Sequence, residues 1–169
     1  MKLTAPLLMS ASLVGLLLLT AKVEAASSAS VSATVTAQNI SVTVADGTIS
    51  YGVIPINTSK STTASDLNDQ QTATNNGNVA EDLNIKGQNT SAWTLAAAAG
   101  AEQYSHKFCT TSCTTPPTGY TALTTNYQTL ATNIATSGTQ VFDLQITTPT
   151  STATYTAQTV DVTVQAVAH

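Results

Sequence analysis

Residues 30–45 read SVSATVTAQNISVTVA, and their pattern decides the fold class. Val31, Ala33 and Val35 alternate with Ser32, Thr34 and Thr36, while Val42 and Val44 alternate with Ser41 and Thr43. Side chains of a strand point to opposite faces in turn, so period-two alternation predicts half-buried strands. Asp46-Gly47 follows as a turn signal, and Thr48 to Ile56 (TISYGVIPI) resumes an extended pattern that Pro55 marks as an edge or an end.

The same reading extends along the chain. Asn57 to Gly77 is a polar connection with a short strand at Gln71 to Thr74, closed by a turn at Asn76-Gly77. Val79, Leu83 and Ile85 share one parity of the next strand, which Glu81 interrupts. Trp93 and Leu95 alternate with Ala92 and Thr94, and Ala96 to Gly100 reads equally as a helical turn or a loop. Tyr104, His106 and Phe108 share a face of a further strand, and Pro116-Pro117 makes Cys109 to Thr118 a loop. Tyr127 to Ile134, then Phe142, Leu144 and Ile146, then Val160, Val162 and Val164 mark the last strands. Short strands at close intervals, with turn residues between them, predict an all-β fold: an antiparallel two-sheet sandwich, Ig-like.

The N-terminus reads as a secretory leader. Lys2 provides a positive start, Ala5 to Leu19 forms an apolar run, and Val23-Glu24-Ala25 fits the small-residue pattern for cleavage before Ala26. The expectation is a signal-peptide helix over 1–25 and a single β-sandwich domain over 26–169, secreted or held at the cell surface. The apolar run is shorter than the roughly 20 residues a membrane span needs, so no stable membrane insertion is expected after cleavage.

Without the leader, Lys60, Lys86 and Lys107 face eight carboxylates, giving a formal charge of 3 − 8 = −5, and the chain has no arginine. Phosphate recognition leans on Arg and Lys, so this balance argues against nucleic acid as a partner. Charged residues make up 8% of the chain, against about 25% in an average soluble domain. Thr and Ser dominate instead, and β-branched Thr suits the solvent face of a strand.

In whole-chain pattern the sequence resembles small secreted β-sandwich proteins of bacterial surfaces, largely uncharacterised. The resemblance rests on Asn75-Asn76-Gly77-Asn78-Val79 opening a strand, Trp93 within a strand and Pro149 before the last hairpin. It implies a surface-layer, fibre or adhesion setting and carries over no catalytic residue.

Few groups bear on chemistry. Cys109 and Cys113 are the only cysteines, and in an exported chain their spacing reads as a small-loop disulfide that stiffens its loop. Reduced, they and His106 offer three soft metal ligands. Asp66, Asn68 and Asp69 resemble a fragment of a calcium-binding loop, although a solvated loop is the simpler reading. His106 and His169 are the only histidines and no G-x-S-x-G occurs, which leaves no recognisable nucleophile–base pair. Glu81 and Glu102 are the only glutamates beyond the leader, so a small extracellular hydrolase has no marked carboxylate pair. Asn39, Asn57 and Asn89 open sequons in form.

The sequence thus points to a non-catalytic surface module without cofactor. Its partners are expected to be itself or other surface proteins, joined by strand addition at an edge such as Val31–Ala37 or Val160–Ala166. The alternative is a glycan-binding module using Tyr120, Tyr127 or Trp93 as stacking platforms.

Overall fold

The computed structural model describes residues 27–113 and 118–169. The expected leader helix and the Pro116-Pro117 segment lie outside the described residues. The chain divides between Val35 and Thr36 into two units, and all the regular structure described below belongs to the second.

Ten strands are present among the described residues. They are β1 (Val42–Ala45), β2 (Ser59–Ser61), β3 (Gln71–Asn75), β4 (Glu81–Lys86), β5 (Thr94–Leu95), β6 (Gln103–Cys109), β7 (Thr121–Ala122), β8 (Gln128–Ile134), β9 (Thr139–Thr147) and β10 (Thr163–Ala168). No described residue is helical, so Ala96 to Gly100 is a loop. A seven-stranded sheet runs β1-β3-β9-β6-β5, with β2 also on β9 and β7 on β6, and a three-stranded sheet runs β10-β4-β8. Nearly all pairings are antiparallel; β5 with β6 is parallel, so the larger sheet is mixed where a wholly antiparallel one was expected.

Strand β9 organises the larger sheet. Phe142, Leu144 and Ile146 lie on one face of it, all buried, as their alternation predicted. It pairs with β3 through Thr139–Phe142, with β2 through Gln145–Thr147, and with β6 along its other edge. Strands β2 and β3 therefore line the same side of β9 in succession, interrupted at Thr62–Gln70, and Thr62 N–H still reaches Leu144 O at 2.9 Å across the interruption. The polarity of Asn57–Gly77 hid this second strand, because here a polar stretch is buried: Ser61, Thr62, Gln71 and Asn75 are all inside. Their hydrogen bonds offset the cost of removing hydroxyl and amide groups from water.

The main core joins residues from both sheets. Leu83 and Ile85 from β4 and Leu130 from β8 meet Ala73, Phe108, Phe142 and Leu144 from the larger sheet. Each fully buried Leu, Ile or Phe contributes roughly 1.5–3 kcal/mol over an exposed one, which makes this cluster the bond between the sheets. A second, smaller cluster of Tyr51, Tyr104 and Ile146 lies at one end.

Three segments differ from expectation. Val31–Ala37 has the alternation of a strand but pairs with nothing among the described residues, and Val31 and Val35 are 94% and 97% exposed. Thr48–Ile56 belongs to neither sheet, with Gly52 left-handed at φ of 69°, and the last strand starts at Thr163 rather than Val160. Alternation reports that a segment suits a sheet; pairing also needs a neighbour at its edge.

Candidate functional site

Asp46 and Gly47 both take left-handed conformations, with φ of 64° and 67°, and form the expected turn after β1. The turn makes no hairpin, since β1 pairs with β3. The chain instead leaves the sheet as a rim, Thr48–Ile54. A second rim, Tyr155–Val162, leads into β10. Between them lies a groove of about 1170 Å³ whose walls include Ile49, Ile54, Val160 and Val162. Phe142, Leu144 and Ile146 of β9, His106 of β6, and Trp93 complete its lining. Small-ligand clefts occupy about 300–1,000 Å³, so the groove exceeds what one small molecule fills.

The main-chain donors of both rims are unpaired among the described residues. Among the described residues, no N–H from Thr48 to Ile54 or from Tyr155 to Val162 has a hydrogen-bond partner. Side chains hold the rims in place. Lys60 Nζ donates to Tyr51 O at 2.9 Å, and the Tyr51 hydroxyl meets His106 Nε2 at 3.0 Å. On the other rim, Gln158 Oε1 accepts from Ser91 Oγ at 2.9 Å and from Ala92 N–H at 3.2 Å. Gln88 Nε2 donates to Asp161 Oδ2 at 3.2 Å, and Trp93 Nε1 donates to Thr152 Oγ1 at 3.0 Å. The rims are thus fixed without a sheet ladder, and among the described residues nothing takes up their main-chain donors.

His106 shares its strand face with Tyr104 and Phe108, as predicted. Burial holds its imidazole down at about 4, so it is neutral near pH 7. Its Nδ1 is buried without a hydrogen-bond partner among the described residues. Burial, reinforced by Asp69 and Asp143, raises the Tyr51 phenol above its ordinary range. Burial pushes Tyr104 up to about 12, and its hydroxyl donates to Gln88 O. Neither phenol ionises under ordinary conditions, so the polar groups here orient the lining.

The other sequence candidates lie apart from one another. Cys109 and Cys113 form a disulfide, which takes both thiols away from the metal set proposed with His106. Asp66 Oδ2 accepts the Ser61 N–H at 2.6 Å, and Asp69 Oδ1 accepts from Gln71 Nε2 at 3.0 Å. Asn68 is exposed with φ of 55°, so this acidic trio shapes the Thr62–Gln70 excursion. No group of three potential metal-ligating side chains converges among the described residues. Of the proposed stacking aromatics, Trp93 packs at 6.3 Å from Tyr104 and Tyr120 is half-buried. Tyr127 is exposed, with Lys86 Nζ 4.6 Å from its ring centre. The three do not form one platform.

Sequence reasoning missed Glu81. It is fully buried, its Oε1 accepts the Ser41 N–H at 2.8 Å, and its Oε2 has no hydrogen-bond partner among the described residues. Around it, Asn78 Oδ1 accepts from Asn39 N–H and Asn78 Nδ2 donates to Ala37 O, both at 2.8 Å. Asn76 N–H donates to Ser41 O at 2.7 Å. Residues 76–81 thereby clamp Ala37–Ser41 ahead of β1. The only signal was Glu81 occupying an apolar position in the alternation of β4.

The arrangement defines a class by geometry: an all-β, two-sheet domain with an open apolar groove between unpaired main-chain rims. Comparison with protein-family models, with curated proteins and with solved structures finds no match to this chain.

Proposed function

We propose that this chain is an exported, non-catalytic module of a cell-surface assembly. Its leader is removed, its two sheets form an Ig-like sandwich, and it joins its neighbours by strand addition. The observation that carries this reading is the groove with two rims whose N–H groups lack partners among the described residues. Main chain with free N–H groups can take up another strand as an exposed sheet edge does. Strand addition supplies affinity through main-chain hydrogen bonds and selectivity through pockets for alternate side chains.

The polar chemistry of the groove supports the same reading. His106 is neutral and linked to a tyrosine whose ionisation is suppressed, and no reactive thiol stands nearby. The test is self-association of the exported product of the full chain, followed by sedimentation and light scattering as concentration rises. Growth in mass with concentration is expected. A strictly monomeric product up to millimolar concentration refutes the reading.

A further inference from the structure

We infer that the groove receives the Ser30–Ala37 segment of a second copy of this chain, an inference that rests on the strand-addition reading and names its occupant. Three properties match the segment to the groove. Val31, Ala33, Val35 and Ala37 put apolar groups on one face at the spacing of a strand, while Ser32, Thr34 and Thr36 keep the other face polar. Both valines are almost wholly exposed, so this apolar face is unused in the isolated chain. Residues 26–45 contain no charged side chain, so the segment carries no ion of its own into the groove.

The length also matches. Eight residues, 30–37, extend about 26 Å at the rise of a strand, and the Tyr155–Val162 rim has eight residues as well. Bound between the rims, the segment up to Thr36 would offer its C=O groups to the rim N–H groups that have no partner among the described residues, while Ala37 O stays with Asn78 of its own chain. Its apolar face would meet the half-buried Ile49, Ile54, Val160 and Val162, above the buried Phe142, Leu144 and Ile146.

The clamp argues for a second copy over self-insertion. Asn78 and Glu81 hold Ala37–Ser41 at the start of β1, whereas the groove opens at the other end, where Gly47 turns the chain into its first rim. The clamp therefore ties Ala37–Ser41 of each chain to residues 76–81 and away from that chain's own groove. A neighbouring chain has no such constraint.

Two substitutions and one cross-link test this. Because Val31 and Val35 are exposed, Val31→Asp with Val35→Asp should leave the melting temperature of the domain unchanged. It should raise the concentration for half-assembly at least about a hundredfold, since each copy must then bury carboxylates in place of two valines. Assembly that survives the double substitution overturns this inference and leaves the strand-addition reading standing; an unaltered chain that never assembles overturns both. For the cross-link, full-length chains carrying Ala33→Cys alone are mixed with chains carrying Val160→Cys alone under mild oxidation. A disulfide joining the two variants is expected. A chain carrying both substitutions that closes only on itself, as a monomer, overturns the second-copy assignment.

Discussion

Acidification probes the His106 environment most directly. The imidazole is 1% exposed, and burial holds it down at about 4 against an ordinary value of 6.5. The unfolded chain takes up this proton as pH falls through about 6.5, while the folded domain resists until about pH 4. Stability is therefore whole above about 6.5, declines across that window and levels off below it. The gap of 2.5 pH units, at about 1.36 kcal/mol each, amounts to about 3 kcal/mol. That is a large share of the roughly 5–15 kcal/mol that holds a domain folded. Urea unfolding at about pH 7 and about pH 4 measures it, with His106→Gln as the reference. Carboxylates titrate in both proteins and cancel in the difference, so the unaltered chain should lose about 3 kcal/mol more than His106→Gln does. At a urea slope of about 1–3 kcal/mol per molar, acidification should lower the midpoint of the unaltered chain by about 1–3 M more than that of His106→Gln. NMR titration of the native protein gives the same quantity directly. A His106 midpoint near 6.5 in the folded state would refute the reasoning, because it would mean the charged imidazole is solvated where the structure buries it.

Two further substitutions check the packing that frames the groove. Asp143 is buried, and its carboxylate accepts from Thr62 Oγ1 at 2.9 Å and Gln70 Nε2 at 2.8 Å, tying both ends of the β2–β3 interruption to β9. Asp143→Ala should cost about 3 kcal/mol in urea unfolding, since two charge-assisted hydrogen bonds vanish and the Thr62 and Gln70 groups lose that acceptor. Gly77→Ala should cost about 1–3 kcal/mol by the same measurement, because the new methyl carbon would collide with Glu81 Oε1 and lie 2.5 Å from Asn39 O. Faster amide exchange at Ser41 than in the unaltered chain should accompany it.

Much of the β architecture was legible because its signal is local. The faces of β6 and β9 follow from residue parity, and Asp46-Gly47 forms a turn because two left-handed residues suit Asp and Gly. The pairing partners were not legible. Val31–Ala37 and Val42–Ala45 have nearly the same pattern, yet only the second has a strand, β3, at its edge. Buried polar chemistry misled in the other direction: Ser61 and Thr62 read as part of a polar connection but pack inside once hydrogen-bonded. The groove itself leaves no mark on parity, since it arises where two apolar segments lack a strand between them. Glu81 was visible only as a break in a pattern, and its role depends on Ser41, 40 residues away.

The placement of the clamp and the groove at opposite ends of β1 fixes a direction. If one copy gives and the next receives, the contact surfaces on each copy differ, so the interface is heterologous and need not close into a symmetric pair. A row of such copies has two unlike tips, one displaying a free segment and the other an unfilled groove. Growth and anchoring then become separable tasks: a partner that fills the groove ends the row at one tip, and a partner with a groove of its own tethers it at the other.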